Sequence, residues 1–159
     1  MMANGSLNYT VKGICIGIKV TWHYTPPTNG GDTFTSIKKG SKATLKIVQD
    51  EKNGFVKELY IQKEPDIDNR TFEAQLQKTV EQLQITYPFL SVKNKKNGTY
   101  LIDIPQEKRL GHEEHFSKVA KAFLHYVHNQ DMPEWENENT LAKYYITTTA
   151  VEMAKKGNK

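Results

Sequence analysis

The chain has 159 residues and a net charge of +4, from 22 basic and 18 acidic residues. A domain of this length can bury a sizeable core without disulfides or a structural metal, and the single cysteine, Cys15, excludes an internal disulfide. No apolar run approaches the ~20 residues of a membrane span, and the lysines are scattered rather than clustered with aromatic residues as in nucleic-acid-binding domains. We therefore expect neither a membrane nor a nucleic acid as a partner.

The N-terminus begins almost at once with strand-like sequence and has neither a charged leader nor the apolar segment of a signal peptide. We therefore expect the chain to be a piece of a longer protein with an added initiator methionine. The compartment stays open, with the cytoplasm favoured and export of the parent not excluded.

Residues 14–24 alternate strictly between large apolar and other side chains, which predicts one long strand. Its apolar face contains Ile14, Ile16, Ile18, Val20, Trp22 and Tyr24. Its other face contains Cys15, Gly17, Lys19, Thr21 and His23. We expect the apolar face to cover helices and the mixed face to be open, or covered by a second copy of the chain. A partner strand is predicted over residues 7–12.

Further strands follow in the first half of the chain. Residues 32–38 and 43–49 have strand composition and flank a turn at Lys39-Gly40-Ser41. Asn53-Gly54 is a strong hairpin signal and predicts that residues 55–62 pair with the strand before it.

The period then changes to that of a helix, with apolar residues at Phe72, Leu76, Val80 and Leu83. Asp68 or Asn69 is expected to cap its start. Strands at 89–93 and 99–104 surround Asn97-Gly98. Two more helices are predicted, one with Phe116, Ala120, Phe123 and Val127 on one face and one over residues 139–155.

These elements predict an α+β fold. We expect one domain over residues 1–159, with an open, mostly antiparallel sheet of about six strands and three helices packed on one face.

Phosphate-binding motifs are absent, since no Gly-x-Gly-x-x-Gly follows a strand and no Gly-x-x-x-x-Gly-Lys-Ser/Thr occurs. We therefore expect no cofactor-binding residue in this chain. No complete catalytic set is apparent either, so the chain alone is expected to be inactive.

The stretch Gly111-His112-Glu113-Glu114-His115-Phe116 has two histidines and two glutamates close together, which makes it the strongest candidate for a functional site. Residues three apart on a helix are neighbours, so His112 and His115 could share a metal or touch a substrate. A catalytic metal usually needs a third protein ligand, and none occurs at a fixed spacing. We therefore predict no metal ligand in this chain, and the two histidines are either ordinary helix residues or candidate substrate contacts.

His23 and Asp32 flank a Pro- and Gly-rich loop and are the other two substrate-facing candidates. The alternative is a surface histidine and a turn aspartate. Cys15 is interpreted as a small core residue, and Trp135 as a packing anchor.

Several pieces of the sequence, occurring in order, carry a family resemblance. They are Ala3-Asn4-Gly5, Tyr9-Thr10 and Gly13; Val20-Thr21-Trp22-His23-Tyr24 with Pro27, Gly31-Asp32-Thr33 and Lys39-Gly40-Ser41-Lys42-Ala43; Gly111-His112-Glu113-Glu114-His115-Phe116; and Trp135 with Leu141-Ala142-Lys143-Tyr144-Tyr145-Ile146-Thr147-Thr148. This pattern resembles the C-terminal domain of Gfo/Idh/MocA-family oxidoreductases, the relatives of glucose–fructose oxidoreductase and inositol dehydrogenase.

The resemblance implies a two-domain parent. Its N-terminal Rossmann domain, missing here, would bind NAD or NADP, and this domain would shape a sugar or polyol site and form a homo-oligomer contact through its sheet. The family's catalytic residues lie upstream of the matched part, so none is assigned to this chain. The alternative hypothesis is a stand-alone, non-catalytic module that binds a small polar ligand on an open sheet face.

Overall fold

The structure, a computed structural model, describes residues 4–22, 24–26, 28 and 30–157. The chain divides into two compact units. The hairpin unit combines Met1–Tyr24 with Leu110–Lys159, and the sheet unit is Thr25–Arg109.

Seven strands and three α-helices are present in the described residues. The strands are β1 (Gly5–Val11), β2 (Ile14–Val20), β3 (Phe34–Lys39), β4 (Ala43–Gln49), β5 (Glu58–Lys63), β6 (Ser91–Asn94) and β7 (Thr99–Asp103). The helices are α1 (Asn69–Gln84), α2 (His112–Asn129) and α3 (Glu134–Gly157). None of these helices is long and apolar enough to cross a bilayer.

The sheet unit is built on a five-stranded, wholly antiparallel sheet in the order β3-β4-β5-β7-β6. Helix α1 packs on one face of it, where the rings of Phe72 and Tyr100 lie 5.7 Å apart and Val80 is only 3% exposed. Opposite residues of antiparallel strands point to the same side, so Tyr60 and Leu101, which pair in register, belong to the other face.

The start of α1 is fixed by its N-cap. The Asp68 carboxylate accepts a hydrogen bond of 2.8 Å from the Thr71 backbone N–H, which satisfies one of the free N–H groups of the first turn. That hydrogen bond is the main reason why the pKa of the Asp68 carboxyl is lowered. The predicted cap is confirmed.

The hairpin unit contains the β1–β2 hairpin and helices α2 and α3. The hairpin pairs Gly5 with Val20 and Val11 with Ile14. Its two turn residues, Lys12 and Gly13, both have positive φ, as a two-residue hairpin turn of matching twist requires.

Burial is concentrated in the sheet unit. The buried residues of the described chain are Thr44, Lys63, Val80, Tyr100 and Leu101. No described residue of the hairpin unit is buried. Val80 and Tyr100 lie between α1 and the five-stranded sheet, whereas Leu101 is buried on the other face of the sheet.

The predicted fold class, α+β with an open and mostly antiparallel sheet, is confirmed. The strands number seven rather than about six, and they form two sheets rather than one. Helix α1 packs on the five-stranded sheet, whereas α2 and α3 belong to the hairpin unit.

Two local predictions need correction. The strand predicted over residues 14–24 ends at Val20, and its apolar face is not covered, since Ile14 is 67% and Trp22 74% exposed. β4 and β5 pair antiparallel around Asn53-Gly54, as predicted, but the connection is longer than a two-residue turn, because Asp50 caps a 3-10 turn over Glu51–Asn53 and β5 starts only at Glu58.

Candidate functional site

The predicted histidine pair lies in the first turn of α2. His112 and His115 are both exposed, and the His112 ring makes an edge contact with Phe116 at 4.8 Å between centroids. The Glu114 carboxylate accepts a 2.8 Å hydrogen bond from the Gly111 N–H. Glu114 therefore has a capping role, in which it closes the start of the helix.

No group of three His, Cys, Asp or Glu side chains that could hold a metal occurs in the part of the chain that the structure describes. The histidine pair thus presents two imidazoles to solvent without a third ligand beside them. Such a pair can donate or accept hydrogen bonds.

The other two candidates are placed differently. Asp32 is exposed and belongs to the sheet unit, just before β3, whereas His112 and His115 belong to the hairpin unit. His23 lies outside the described residues. Of the predicted contacts, His112 and His115 lie in the same turn of α2.

Cys15 and Trp135 do not have the packing roles predicted from the sequence. Cys15 is exposed, and its sulfur lies 3.9 Å from the Thr10 hydroxyl oxygen. Trp135 is 54% exposed, so it anchors no core within the described chain.

Sequence reasoning missed a polar cleft of about 720 Å³ in the sheet unit. The end of β5, the first turns of α1 and the β6–β7 turn form its walls. Its lining includes Lys63, Asn69, Glu73, Asn94, Lys96 and Tyr100. A concave surface of this size is large enough for a small ligand.

A three-residue cluster orients one carboxylate at this cleft. The Tyr100 hydroxyl donates to Glu73 Oε1 at 2.8 Å, and the Asn94 amide donates to the same oxygen at 3.3 Å. Burial, together with this hydrogen bond and the charge of Glu73, raises the pKa of Tyr100 to about 12. The phenol therefore stays protonated and acts as a fixed donor.

The buried Lys63 holds a second wall of the cleft. Its ammonium donates to the backbone carbonyls of Glu64 at 2.9 Å and Ile67 at 2.5 Å. Gly98 packs against it, since a Cβ at Gly98 would lie 3.4 Å from Lys63 Cβ, and its φ of +71° favours glycine. The lysine therefore fixes the segment between β5 and α1 rather than offering a free charge.

One signal in the sequence could have revealed this cleft. Glu73, Leu76 and Val80 are spaced by three and four residues, so a carboxylate stands on the apolar stripe of α1. This carboxylate is exposed, and the structure pairs it with the hydroxyl of Tyr100.

Comparison with known proteins gives the family. Residues 1–155 match the family described as "Putative oxidoreductase C terminal domain". The chain belongs to this family. As an oxidoreductase C-terminal domain, it is similar to a crystal structure described as a putative oxidoreductase from Parabacteroides merdae ATCC 43184, with 38% identity and a TM-score of 0.92.

The match covers 97% of this chain and 35% of that one, so this oxidoreductase C-terminal domain spans about a third of the length of its solved relative. No curated protein matches the sequence.

Proposed function

We propose that this chain is the substrate-side and oligomerisation domain of an NAD- or NADP-dependent oxidoreductase of the Gfo/Idh/MocA type, which acts on a sugar or polyol. One observation carries the proposal beyond the family match, namely that no described residue of the hairpin unit is buried. A unit of this kind needs further protein against it, because two-stranded hairpins and isolated helices are marginal in water.

Helix α2 gives the clearest example of an uncovered face. Phe116, Val119 and Phe123 recur at helical spacing, yet they are 63%, 68% and 63% exposed. An apolar stripe at this spacing is normally buried against another element. We propose that the rest of the parent protein packs against the apolar stripe of α2.

The nicotinamide cofactor does not fit this chain. Both sheets are antiparallel throughout, so the described strands contain no parallel β-α-β unit of the dinucleotide-binding kind. The sequence also has no Gly-rich phosphate loop. We therefore assign the cofactor to the missing Rossmann domain, and to this chain the positioning of the substrate, with His112 and His115 as proposed polar contacts.

The proposed homo-oligomer contact uses the β1–β2 hairpin. Its alternate residues Cys15, Gly17 and Lys19 form a mixed, exposed face, and a two-fold contact needs only that such a face is complementary to itself. The alternative is a solvated antiparallel face without a partner. Light scattering distinguishes them, because a dimer that Gly17→Arg converts to a folded monomer supports the contact, and a monomer at all concentrations contradicts it.

Nucleotide binding tests the proposal that the cofactor binds to a Rossmann domain of the parent protein and not to this chain. In titration calorimetry, the isolated chain should give no heat with NAD or NADP, whereas the full-length gene product should bind one of them. Micromolar binding to the isolated chain, or none to the full-length protein, would contradict the proposal. A Rossmann-type strand, Gly-rich loop and helix encoded in frame upstream would support it, and an upstream stop or signal peptide would favour the stand-alone module.

A matched pair of variants tests whether α2 is covered in the parent. Phe123→Asp should leave the isolated chain within about 0.5 kcal/mol of wild type, because the ring is already exposed. In the full-length protein the same change should cost about 3 kcal/mol or more, because it places a charge in an apolar contact. Lys121→Asp, on the opposite side of α2, is the control and should be tolerated in both. Equal tolerance of Phe123→Asp in both proteins would refute the assignment.

A further inference from the structure

Helix α3 has two apolar sides, and only one of them is partly buried. On that side, Ile146, Thr149 and Ala150 are half-buried. On the opposite side, five exposed residues recur at spacings of three and four: Leu141, Tyr144, Tyr145, Thr148 and Val151. We call these residues the α3 stripe. Residues at this spacing share one face of a helix, so α3 presents a continuous, uncovered face.

The α3 stripe is part of a seven-residue repeat that extends to both ends of the helix. Glu134, Leu141, Thr148 and Lys155 are seven residues apart, which places them along one seam of the helix. The middle of this seam belongs to the α3 stripe, whereas its start is acidic and its end is basic. Repeats of this length are typical of helices that pair along their length with another helix. The sequence of α3 therefore favours a long helix as its partner.

The composition of the α3 stripe fits a contact between separate protein molecules. The apolar stripe of α2 contains phenylalanines, whereas the α3 stripe contains two tyrosines, of which Tyr145 is 73% exposed. A tyrosine combines an apolar ring with a hydroxyl that stays in water at the rim of a contact, so tyrosines are enriched between proteins. The Thr148 hydroxyl donates to the Tyr144 carbonyl at 2.7 Å, so burial of this threonine leaves no unpaired hydroxyl.

The charges at the two ends of the seam identify a partner with complementary charges. Two acidic residues stand on the seam at its start and two basic residues at its end: Glu134, Glu138, Lys155 and Lys156. If two α3 helices lie antiparallel with a two-fold axis at the middle of the stripe, the basic end of each copy is within one helical turn of the acidic residues of the other. A parallel pair would place like charges side by side. The charges therefore favour an antiparallel second copy of the chain.

We propose that the α3 stripe is a contact surface for a second copy of this chain, in which two α3 helices pair antiparallel across a two-fold axis. Tyr144 and Tyr145 are 59% and 73% exposed, and a buried tyrosine removes roughly 150–250 Å² from water. The tyrosines of both copies together therefore contribute about 400–700 Å². Leu141, Val151 and the charged ends extend this area toward the ~1,000 Å² of a specific contact. A contact of this size is weak, so we expect pairing at high micromolar concentration.

The experiment is sedimentation velocity of the 159-residue chain with the change Gly17→Arg, which removes the hairpin contact proposed above. This chain should form reversible dimers at high micromolar concentration. Tyr145→Arg should weaken dimerisation about tenfold or more, as expected when a charge replaces a central interface tyrosine. Asn139→Arg introduces the same charge at an exposed position of α3 outside the stripe and should leave dimerisation unchanged.

Two charge variants test the antiparallel arrangement. Glu134→Lys with Glu138→Lys makes both ends of the seam basic, and Lys155→Glu with Lys156→Glu makes both ends acidic. Each variant alone should stay monomeric, because like charges face each other in its homodimer. An equimolar mixture should dimerise, because the basic ends of one variant face the acidic ends of the other. Far-UV circular dichroism checks that both variants remain helical, since these changes oppose the helix dipole.

Three results would overturn the proposal. The first is a Gly17→Arg chain that stays monomeric at every concentration. The second is equal dimerisation in Tyr145→Arg and Asn139→Arg, or no dimer in the mixture of folded charge variants, because the contact would then lie elsewhere. The third is a lower melting temperature of the full-length protein in Tyr145→Arg without any change in self-association, because the rest of the parent protein would then cover the stripe.

Discussion

Replacing Lys63 by Met removes one charge from a nearly buried position and keeps the length of the side chain. Lys63 lies at the end of β5, and its ammonium donates to the carbonyls of Glu64 and Ile67 at 2.9 and 2.5 Å. A third carbonyl, that of Pro65, lies at 3.5 Å, which is too long for a strong bond. The variant leaves these carbonyls without their donor.

The change in the free energy of unfolding depends on one loss and two effects that offset it. Two good hydrogen bonds from a charged donor contribute about 1.5–3 kcal/mol each. The release of a buried ammonium from its desolvation cost offsets part of this. The accepting residues are partly exposed, so water can replace some of the lost donors. We therefore expect Lys63→Met to lower the free energy of unfolding by about 2 kcal/mol, which is a fall of about 1 M in the urea midpoint.

The two units can be followed separately in this experiment. Both tryptophans, Trp22 and Trp135, belong to the hairpin unit, so their fluorescence reports that unit, while far-UV circular dichroism reports both. Lys63→Met should shift the circular dichroism transition, and Lys38→Met, the same change at an exposed position of β3, should not. An unchanged or raised midpoint in Lys63→Met would refute the reasoning, since the desolvation cost would then outweigh the hydrogen bonds.

Three further predictions concern ionisable groups. The hydrogen bond to Glu58 and, second, burial raise the pKa of Tyr60 to about 12. The stabilisation from this hydrogen bond is therefore complete below pH 10 and is lost as the pH rises through about 12. Glu58→Gln should lower the Tyr60 pKa in an ultraviolet titration, and an unchanged value would contradict the assignment. The pKa of Asp68 is lowered, so its capping contribution to stability is present above the unfolded-state pKa and is lost as the pH falls through the folded-state pKa. Asp68→Ala should lower the melting temperature at pH 7 more than Asp68→Asn does, because asparagine can still accept the cap hydrogen bond. Equal losses would show that the cap hydrogen bond has no effect. Excess zinc should leave the melting temperature unchanged, and a rise that His112→Ala with His115→Ala abolishes would show a metal site after all.

The elements predicted well are those that neighbouring residues determine. Strand β4 occupies the predicted residues 43–49, because alternating side chains between two turns leave little choice of register. The cap at Asp68 depends on one side chain and an N–H three residues away. Such features need no knowledge of the rest of the chain.

The features that were missed depend on distant or competing partners. The alternation in β2 predicted a covered face, but which element covers a face is a property of the whole assembly, and Ile14 is 67% exposed here. At Asn53, the side chain accepts from the Asp50 N–H and completes a capping box, so a local polar contact replaced the expected tight turn. The cleft joins Glu73 to Tyr100, 27 residues apart, and no local pattern specifies that meeting.

The division of the chain has a consequence for how it could have been assembled during evolution. The sheet unit is one uninterrupted segment, Thr25–Arg109, whereas the hairpin unit is made from the two ends of the chain. The segment contains all five residues that are buried within the described parts of the chain, so it has the organisation of a self-sufficient insertion between two stretches that form one unit. Insertion and deletion of whole modules are tolerated where both junctions are exposed. On this view, a homologue that lacks residues 25–109 should still contain both terminal stretches.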